Sequence, residues 1–209
     1  MTDPSLTITI VGAGTVGTRL ARAFTRLGHA VTFAVRDRDS EKLRRALAEV
    51  PVAGVVMLDE ADAGADLTVL AVPAVAIPTV LETLVVGRIL VDATNPIGLD
   101  LPAGAACVPD WIHQLTDGLT VVKAFNTIGA EQYTEPELQG RPVFLPVAGP
   151  APAVDLVREL ADHVGFDAHV IGDLDDAPKL EAFADLWIHL AIRRGMGRRL
   201  GFGLLHEDT

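Results

Sequence analysis

The chain has 209 residues, and 17 lysines and arginines against 28 aspartates and glutamates give it a formal net charge of −11. This acidic balance excludes general binding to nucleic acids, because that affinity comes from cations that displace counterions along the phosphate backbone. The hydrophobic fraction of 49% is typical of one globular domain, or one domain with an appendage. Cys107 is the single cysteine, so an internal disulfide is excluded and a reducing cytoplasm fits.

No secretory leader or membrane span is expected from the sequence. The first residues lack a basic segment followed by an apolar one. The longest apolar stretch, residues 67–81, is shorter than the roughly 20 residues that a spanning helix needs, and it contains two prolines. We therefore expect a cytoplasmic protein that has a small-molecule substrate and neither a membrane nor a nucleic-acid partner.

Short apolar runs rich in β-branched residues alternate with helical patterns along the chain. Such runs predict strands of a parallel sheet that is buried on both faces by helices. The predicted strands lie at residues 6–11, 30–35, 54–58, 67–72, 89–92, 120–124, 143–147 and 168–171, and the clearest helices at 16–27, 40–50, 153–164 and 176–194. The sequence predicts an α/β fold with a Rossmann-type doubly wound, mainly parallel sheet. We place a dinucleotide-binding domain at 1–148 and a short C-terminal α/β lobe, which completes the substrate pocket, at 149–209.

A glycine-rich turn joins the first predicted strand to the first helix. It has the pattern G-x-G-x-x-G, formed by Gly12-Ala13-Gly14-Thr15-Val16-Gly17. In a strand-turn-helix context, Gly12 allows the tight turn, Gly14 lets the backbone approach a pyrophosphate, and Gly17 lets the helix lie close to the strand. We expect residues 12–16 to bind a dinucleotide at the N-terminus of the helix.

The end of the second predicted strand indicates which nicotinamide nucleotide binds. A site for NAD usually has a carboxylate there, whereas this chain has Val35 followed by Arg36. A cation favours the 2′-phosphate of NADP(H), and Arg36 has the planar, bidentate geometry that suits a phosphate. Arg38 is a second candidate. The alternative is that these arginines are ordinary solvated loop residues.

The ends of three further predicted strands complete the expected cleft. In open α/β sheets, ligands bind beyond the carboxyl ends of the strands near the point where the strand order reverses. This rule selects the residues Ala71, Val72, Pro73, Thr94, Asn95, Pro96, Ala124 and Asn126. Each of these segments, taken alone, is equally typical of an ordinary loop.

Several motifs together resemble a known family, the NADP oxidoreductases that depend on the deazaflavin coenzyme F420. The resemblance runs from Thr7 to Leu205, and its motifs are the glycine turn, Ala34-Val35-Arg36, Asp92-Ala93-Thr94-Asn95-Pro96, Lys123-Ala124-Phe125-Asn126-Thr127, the stretch 172–181 and Gly195-Met196-Gly197. The resemblance implies a hydride transfer between the nicotinamide of NADP(H) and coenzyme F420. That chemistry needs the two rings to be held together and water to be excluded. We accordingly predict no catalytic acid or base and no metal site.

The sequence leaves other functions open. The chain could be an NADPH-dependent reductase of another acceptor, such as a flavin, a quinone or a ferric chelate, or a non-catalytic NADPH sensor. A cluster of four arginines, at 193, 194, 198 and 199, could attract the anionic tail of F420, or it could complement the dipole of a helix C-terminus. We also predict a homodimer.

Overall fold

The computed structural model describes residues 5–205 and residue 207. Within these residues, eight strands form one sheet. They are β1 (Thr7–Val11), β2 (Ala30–Val35), β3 (Gly54–Met57), β4 (Leu67–Leu70), β5 (Leu90–Asp92), β6 (Val121–Lys123), β9 (Phe144–Ala148) and β10 (Asp167–Gly172). Their order across the sheet is β10-β9-β6-β5-β4-β1-β2-β3. A two-stranded ribbon, β7 (Glu137–Leu138) with β8 (Arg141–Pro142), lies apart from this sheet. All eight predicted strands are present.

The sheet is doubly wound, as the sequence predicts. Strands β1 to β6 are mutually parallel, and β4 lies on the side of β1 opposite to β2. The strand order therefore reverses between β1 and β4, which is where such folds bind ligands. Strand β9 is antiparallel to β6 and meets it only through Lys123 and Ala148, the last residues of the two strands. The earlier part of β9 consequently projects beyond the carboxyl end of β6.

In the described part of the chain, six α-helices accompany the strands. They are α1 (Thr15–Arg26), α2 (Glu41–Glu49), α3 (Ile77–Leu81), α4 (Val108–Leu115), α5 (Ala153–Val164) and α6 (Ala177–Ile188). The hydroxyl of Ser40 caps α2 by accepting the N–H of Leu43 at 3.4 Å, and α5 ends at Gly165, whose φ is 111°. The helix predicted at 176–194 is α-helical only to Ile188 and continues as a π-helical segment, His189–Arg193. Helices α3 and α4 are too short to give a clear periodic pattern.

Two hydrophobic clusters cover the two faces of the sheet. The larger one contains an edge-to-face series of rings, in which Phe125 packs between Phe24 and Tyr133, and Tyr133 packs against Phe166. The hydroxyl of Tyr133 donates a hydrogen bond to the carbonyl of Phe125. Phe125 has a φ of 60°, an unfavourable value for a bulky residue that these contacts hold in place. The ring series thus fixes the chain where it leaves β6.

The residues from β9 onward extend the same sheet and add α5 and α6. Strand β10 pairs with β9 in parallel, so no break in the sheet separates the two predicted domains. The boundary at 148 stays a prediction. Within residues 5–205 and 207, no helix is long and apolar enough to cross a membrane.

Candidate functional site

The glycine turn between β1 and α1 leaves room for a ligand at one position only. A Cβ atom on Gly17 would lie 2.0 Å from the carbonyl oxygen of Gly12. A Cβ atom on Gly12, whose φ is +101°, would lie 2.8 Å from the carbonyl oxygen of Ala71. A Cβ atom on Gly14 would meet nothing within 4 Å. Gly14 is the N-cap of α1 and has no side chain to cap it, so the first N–H groups of the helix stay available for an anion.

A cleft runs over this turn along the carboxyl ends of β1, β2 and β4. Eight of the sixteen predicted site residues line it, namely Gly12, Ala13, Gly14, Val35, Arg36, Ala71, Val72 and Pro73. A neighbouring cleft between α1 and α2 contains Thr15, while Val16 packs against the hydrophobic core. The sequence therefore predicted which of these residues lie together at the cleft, and their role in binding a dinucleotide stays a prediction.

Two cations lie at the end of the main cleft beside β2. Arg36 and Lys42 both line it, and neither forms an ion pair within residues 5–205 and 207. Arg38 instead pairs with Glu60 and does not line the cleft. The N–H of Met57 and the Arg38 guanidinium lower the pKa of Glu60, which keeps that carboxylate charged. Of the two arginines that the sequence left open, Arg36 therefore has the better placement for an anion.

Sequence reasoning missed Lys42. It lies in the first turn of α2, and only the packing of α2 against the turn brings it to the cleft, where it also borders the region near Thr15. A signal existed in the sequence, since the lysine stands in the first turn of the helix that follows the second strand, two residues after the N-cap serine.

The carboxyl ends of β5 and β6 carry a pair of asparagines. The Nδ2 atom of Asn95 donates to the carbonyl of Asn126 at 2.7 Å, and the Nδ2 atom of Asn126 donates to Oδ1 of Asn95 at 3.0 Å. Asn126 also donates to the carbonyl of Leu180 on α6 at 3.3 Å. Because backbone carbonyls only accept, these bonds settle which atom of each amide is nitrogen. The amide oxygen of Asn126 is left as an acceptor.

Some of the buried polar atoms that lack a partner lie at these strand ends. The side-chain oxygens Oδ1 of Asn126, Oγ1 of Thr94 and Oγ1 of Thr127 have no hydrogen-bond partner in the described part of the chain. All three residues are at most 6% exposed. Unsatisfied buried polar atoms are costly, so a cluster of them indicates a place where a ligand or ordered water completes the bonding. Pro96 and Ala124 adjoin the same two strand ends.

A buried charged cluster lies directly beneath the asparagine pair. The Nζ atom of Lys123 donates to Oδ2 of Asp92 at 2.7 Å, to the carbonyl of Thr94 at 2.7 Å and to Oε1 of Glu181 at 2.8 Å. The side chains of Lys123 and Asp92 are fully buried, and that of Glu181 is 9% exposed. In the sequence these residues stand out only as members of motifs, because nothing local relates α6 to β5 and β6.

Burial raises the pKa of the Glu181 carboxyl, although Lys123 and the N–H of Val108 act in the opposite direction. Asp92 and the thiol of Cys107 also face this carboxyl. When folding raises the pKa of an acid, the protonated form of that acid stabilises the folded state. This contribution to the free energy of unfolding is complete below the ordinary pKa of 4.5, and it is lost as pH rises through the pKa of the folded state.

We therefore expect Glu181→Gln to change the pH dependence of stability. As pH rises above 4.5, wild type should lose free energy of unfolding relative to the variant, because only wild type must ionise a buried carboxyl. Urea unfolding at a series of pH values measures this difference. The exposed Glu82→Gln serves as the control. A difference that stays constant with pH for Glu181→Gln would contradict the assignment.

The four-arginine cluster is largely neutralised. Arg198 pairs with Glu131 at 2.6 Å, Arg199 with Glu135 at 3.3 Å, and Arg193 with Asp185 at 3.8 Å. Arg193 lies in the last turn of the π-helical segment, where a cation complements the helix dipole. Attraction of an anionic tail by this cluster stays a hypothesis. In the described part of the chain, no group of three or more His, Cys, Asp or Glu residues could hold a metal ion.

Comparison with known proteins agrees with this geometry. A family model described as a Rossmann-like domain matches residues 1–101. The chain contains a Rossmann-like domain. No curated protein matches its sequence. Among solved structures, a protein from Arthrobacter sp. FB24 that is provisionally named as an F420-dependent NADP reductase is 26% identical, with a TM-score of 0.84 over 97% of this chain and 100% of that one. This match confirms the resemblance predicted from the sequence.

Two further solved structures share the Rossmann-like fold. A hypothetical protein from Sinorhizobium meliloti is 28% identical, with a TM-score of 0.69 over 81% of this chain and 86% of that one. A reductive aminase from Aspergillus terreus, solved with NADPH, is 19% identical, with a TM-score of 0.65 over 92% of this chain but only 61% of the aminase. The structural neighbours of this Rossmann-like chain thus include NADP-dependent oxidoreductases.

Proposed function

We propose that this Rossmann-like protein is an oxidoreductase that transfers a hydride between NADP(H) and coenzyme F420. The observation that carries the proposal is the match with the Arthrobacter protein. It covers 97% of this chain, and so includes the C-terminal lobe as well as the Rossmann-like domain. The reductive aminase, by contrast, extends well beyond the part that this chain matches.

The carboxyl edge of the sheet fits a dinucleotide in charge and in length. The edge runs from β2 through β1, β4 and β5 to β6, which is four strand spacings or about 19 Å. Cations lie at its β2 end, open helix N–H groups at β1, and unsatisfied acceptors at β5 and β6. This order suits a phosphorylated ribose, then a pyrophosphate, then a carboxamide. We assign the sixteen predicted residues to this site, with Lys42 added and Arg38 and Val16 in supporting positions.

At the β5 and β6 end, the amide oxygen of Asn126 is an acceptor whose orientation is fixed by Asn95 and by the Leu180 carbonyl. A nicotinamide carboxamide has an NH₂ group that can donate to it. Fixing the carboxamide orients the ring, because the two share a plane. When bound, NADPH supplies the hydride and F420 accepts it together with a proton from water. The chain's own residues hold the dinucleotide, orient its ring and keep water away.

Arg36 should determine the preference for NADPH over NADH. We expect Arg36→Ala to weaken NADPH binding by roughly 10- to 150-fold, the equivalent of about 1.5–3 kcal/mol for a charge-assisted hydrogen bond, and to leave NADH binding unchanged. Titration calorimetry or nucleotide fluorescence measures both affinities. Arg38→Ala should have a smaller effect, because Glu60 already holds that side chain. The exposed Arg44→Ala is the control, and equal losses for both nucleotides would contradict the role.

The acceptor is tested by mixing the purified protein with NADPH and following the visible absorbance of F420, then repeating the assay with FMN, a quinone and a ferric chelate. Bleaching of F420 alone supports the proposal. Turnover of another acceptor in its place would make the chain a different NADPH-dependent reductase. Binding of NADPH without turnover of any acceptor would favour a sensor and contradict the proposal.

A further inference from the structure

The buried cluster of Lys123, Asp92 and Glu181 has no part in hydride transfer itself, since it lies beneath the sheet edge and away from solvent. Its bonding is complete. The three ammonium protons of Lys123 serve Asp92, the Thr94 carbonyl and Glu181, so Lys123 has no donor left for a ligand. We therefore infer the role of the cluster from the residues that it links by hydrogen bonds.

The cost of burying these charges indicates that the cluster does more than stabilise the fold. Moving charges out of water costs several kcal/mol for each ion, and well-packed apolar residues of similar volume are often as stable or more so. Here two carboxyl groups share one ammonium group, so ionisation of both leaves a surplus negative charge in a buried place. The most informative feature is therefore the geometry that the cluster imposes.

The cluster holds both polar groups of the Thr94 backbone. Oδ1 of Asp92 accepts the N–H of Thr94 at 2.9 Å, and Lys123 donates to its carbonyl at 2.7 Å. The bond from Asp92 fixes the peptide plane between Ala93 and Thr94, and the bond from Lys123 fixes the plane between Thr94 and Asn95. Asn95 in turn sets the amide of Asn126 through their two mutual hydrogen bonds. The orientation of the free acceptor on Asn126 thus depends on Lys123 through the Thr94 carbonyl and Asn95.

The same cluster ties the C-terminal lobe to this edge. Oε1 of Glu181 accepts from Lys123 and from the N–H of Val108 at the start of α4, at 2.8 and 2.9 Å. The preceding residue of α6, Leu180, accepts from Asn126. Two consecutive residues of α6 are therefore bonded to the strand ends, one to the cluster and one to the asparagine pair. A shift of α6 would disturb both at once.

We propose that Lys123 is a positioning residue for the nicotinamide end of the dinucleotide, acting through the Thr94 peptide and Glu181 to orient the Asn95–Asn126 pair. This rests on the proposed binding of NADP(H), but not on F420 as the acceptor. Arg36 would hold the 2′-phosphate at the adenine end, four strand spacings from Lys123, so Lys123 should not affect binding of that end.

The test compares two ligands that share one end. NADPH occupies the whole edge, whereas 2′,5′-ADP has the adenine and the 2′-phosphate and lacks the nicotinamide. For Lys123→Met, we expect the affinity for NADPH to fall about tenfold or more and that for 2′,5′-ADP to stay within about twofold. Lys179→Met is the matched control, because Lys179 is on the same helix as Glu181 and is exposed. Both affinities are measured by calorimetry on the full chain.

A second variant covers the case in which Lys123→Met does not fold. Glu181→Gln keeps the size of the side chain and one acceptor, and should give a smaller loss with the same selectivity for NADPH. Equal losses for both ligands, or unchanged NADPH affinity in a folded variant, would overturn the positioning role while leaving the dinucleotide site intact. A wild-type chain that binds neither ligand would overturn the proposed function and this proposal together.

Discussion

Gly14→Ala should fold like wild type and lose most of its affinity for NADPH, whereas Gly17→Ala should lose stability itself. The two glycines belong to the same turn and are three residues apart, but they face different surroundings. A methyl group on Gly14 would enter open space within the cleft, while one on Gly17 would lie 2.0 Å from a backbone carbonyl oxygen. The first change alters the surface that a pyrophosphate must approach, and the second alters the packing of α1 against β1.

The expected sizes follow from these contacts. Gly14 has φ −78° and ψ −175°, which alanine adopts freely, so the loss of stability at this N-cap should be about 1 kcal/mol or less. Blocking the helix N–H groups from the pyrophosphate should weaken binding of NADPH by roughly 10- to 150-fold. In Gly17→Ala, the backbone must move, at a cost of about 1–3 kcal/mol or more.

Thermal unfolding and titration with NADPH, carried out on both variants, separate the two effects. Gly14→Ala should show an unfolding midpoint close to that of wild type with weakened binding. Gly17→Ala should show a clearly lowered midpoint. If Gly14→Ala bound NADPH as tightly as wild type, the pyrophosphate would have to lie elsewhere, and the glycine turn would be structural only.

Asp92→Ala should lower the free energy of unfolding by about 3–5 kcal/mol, because it leaves the fully buried Lys123 with fewer partners and an uncompensated N–H on Thr94. For a chain of this length, that loss lowers the unfolding midpoint by roughly 6–20 °C. The control is Asp185→Ala, which breaks an exposed pair with Arg193 and should cost less than about 1 kcal/mol.

A double variant distinguishes an unpaired charge from a simple loss of packing. Asp92→Leu combined with Lys123→Leu removes the pair together, and Glu181 can then take up a proton, so part of the stability should return. The two single variants, Asp92→Leu and Lys123→Leu, are measured as well. If their losses in free energy of unfolding simply add up in the double variant, the unpaired-charge explanation is contradicted. Chemical unfolding at neutral pH gives all the free energies required.

Local patterns account for what the sequence predicted correctly. The strands were recognisable because each is a continuous apolar run between turn residues, and the glycine turn was recognisable because its spacing and its flanking strand and helix are contiguous in the chain. Arg36 was proposed on the same local basis, since it directly follows β2, and its role stays a prediction. The choice between Arg36 and Arg38 was not local, because it depends on Glu60 at the end of another segment.

The sequence by itself therefore determined a doubly wound fold with a G-x-G-x-x-G turn after its first strand, and the polar residues that follow β5 and β6. Only the tertiary structure decided which partners those residues contact. Asn95 and Asn126 are 31 residues apart, and Lys123 and Glu181 are 58 apart. Such pairs form because parallel strands bring their carboxyl ends to one edge and α6 packs across that edge. The partners of a side chain there depend on strand order and helix packing, which no stretch of neighbouring residues encodes.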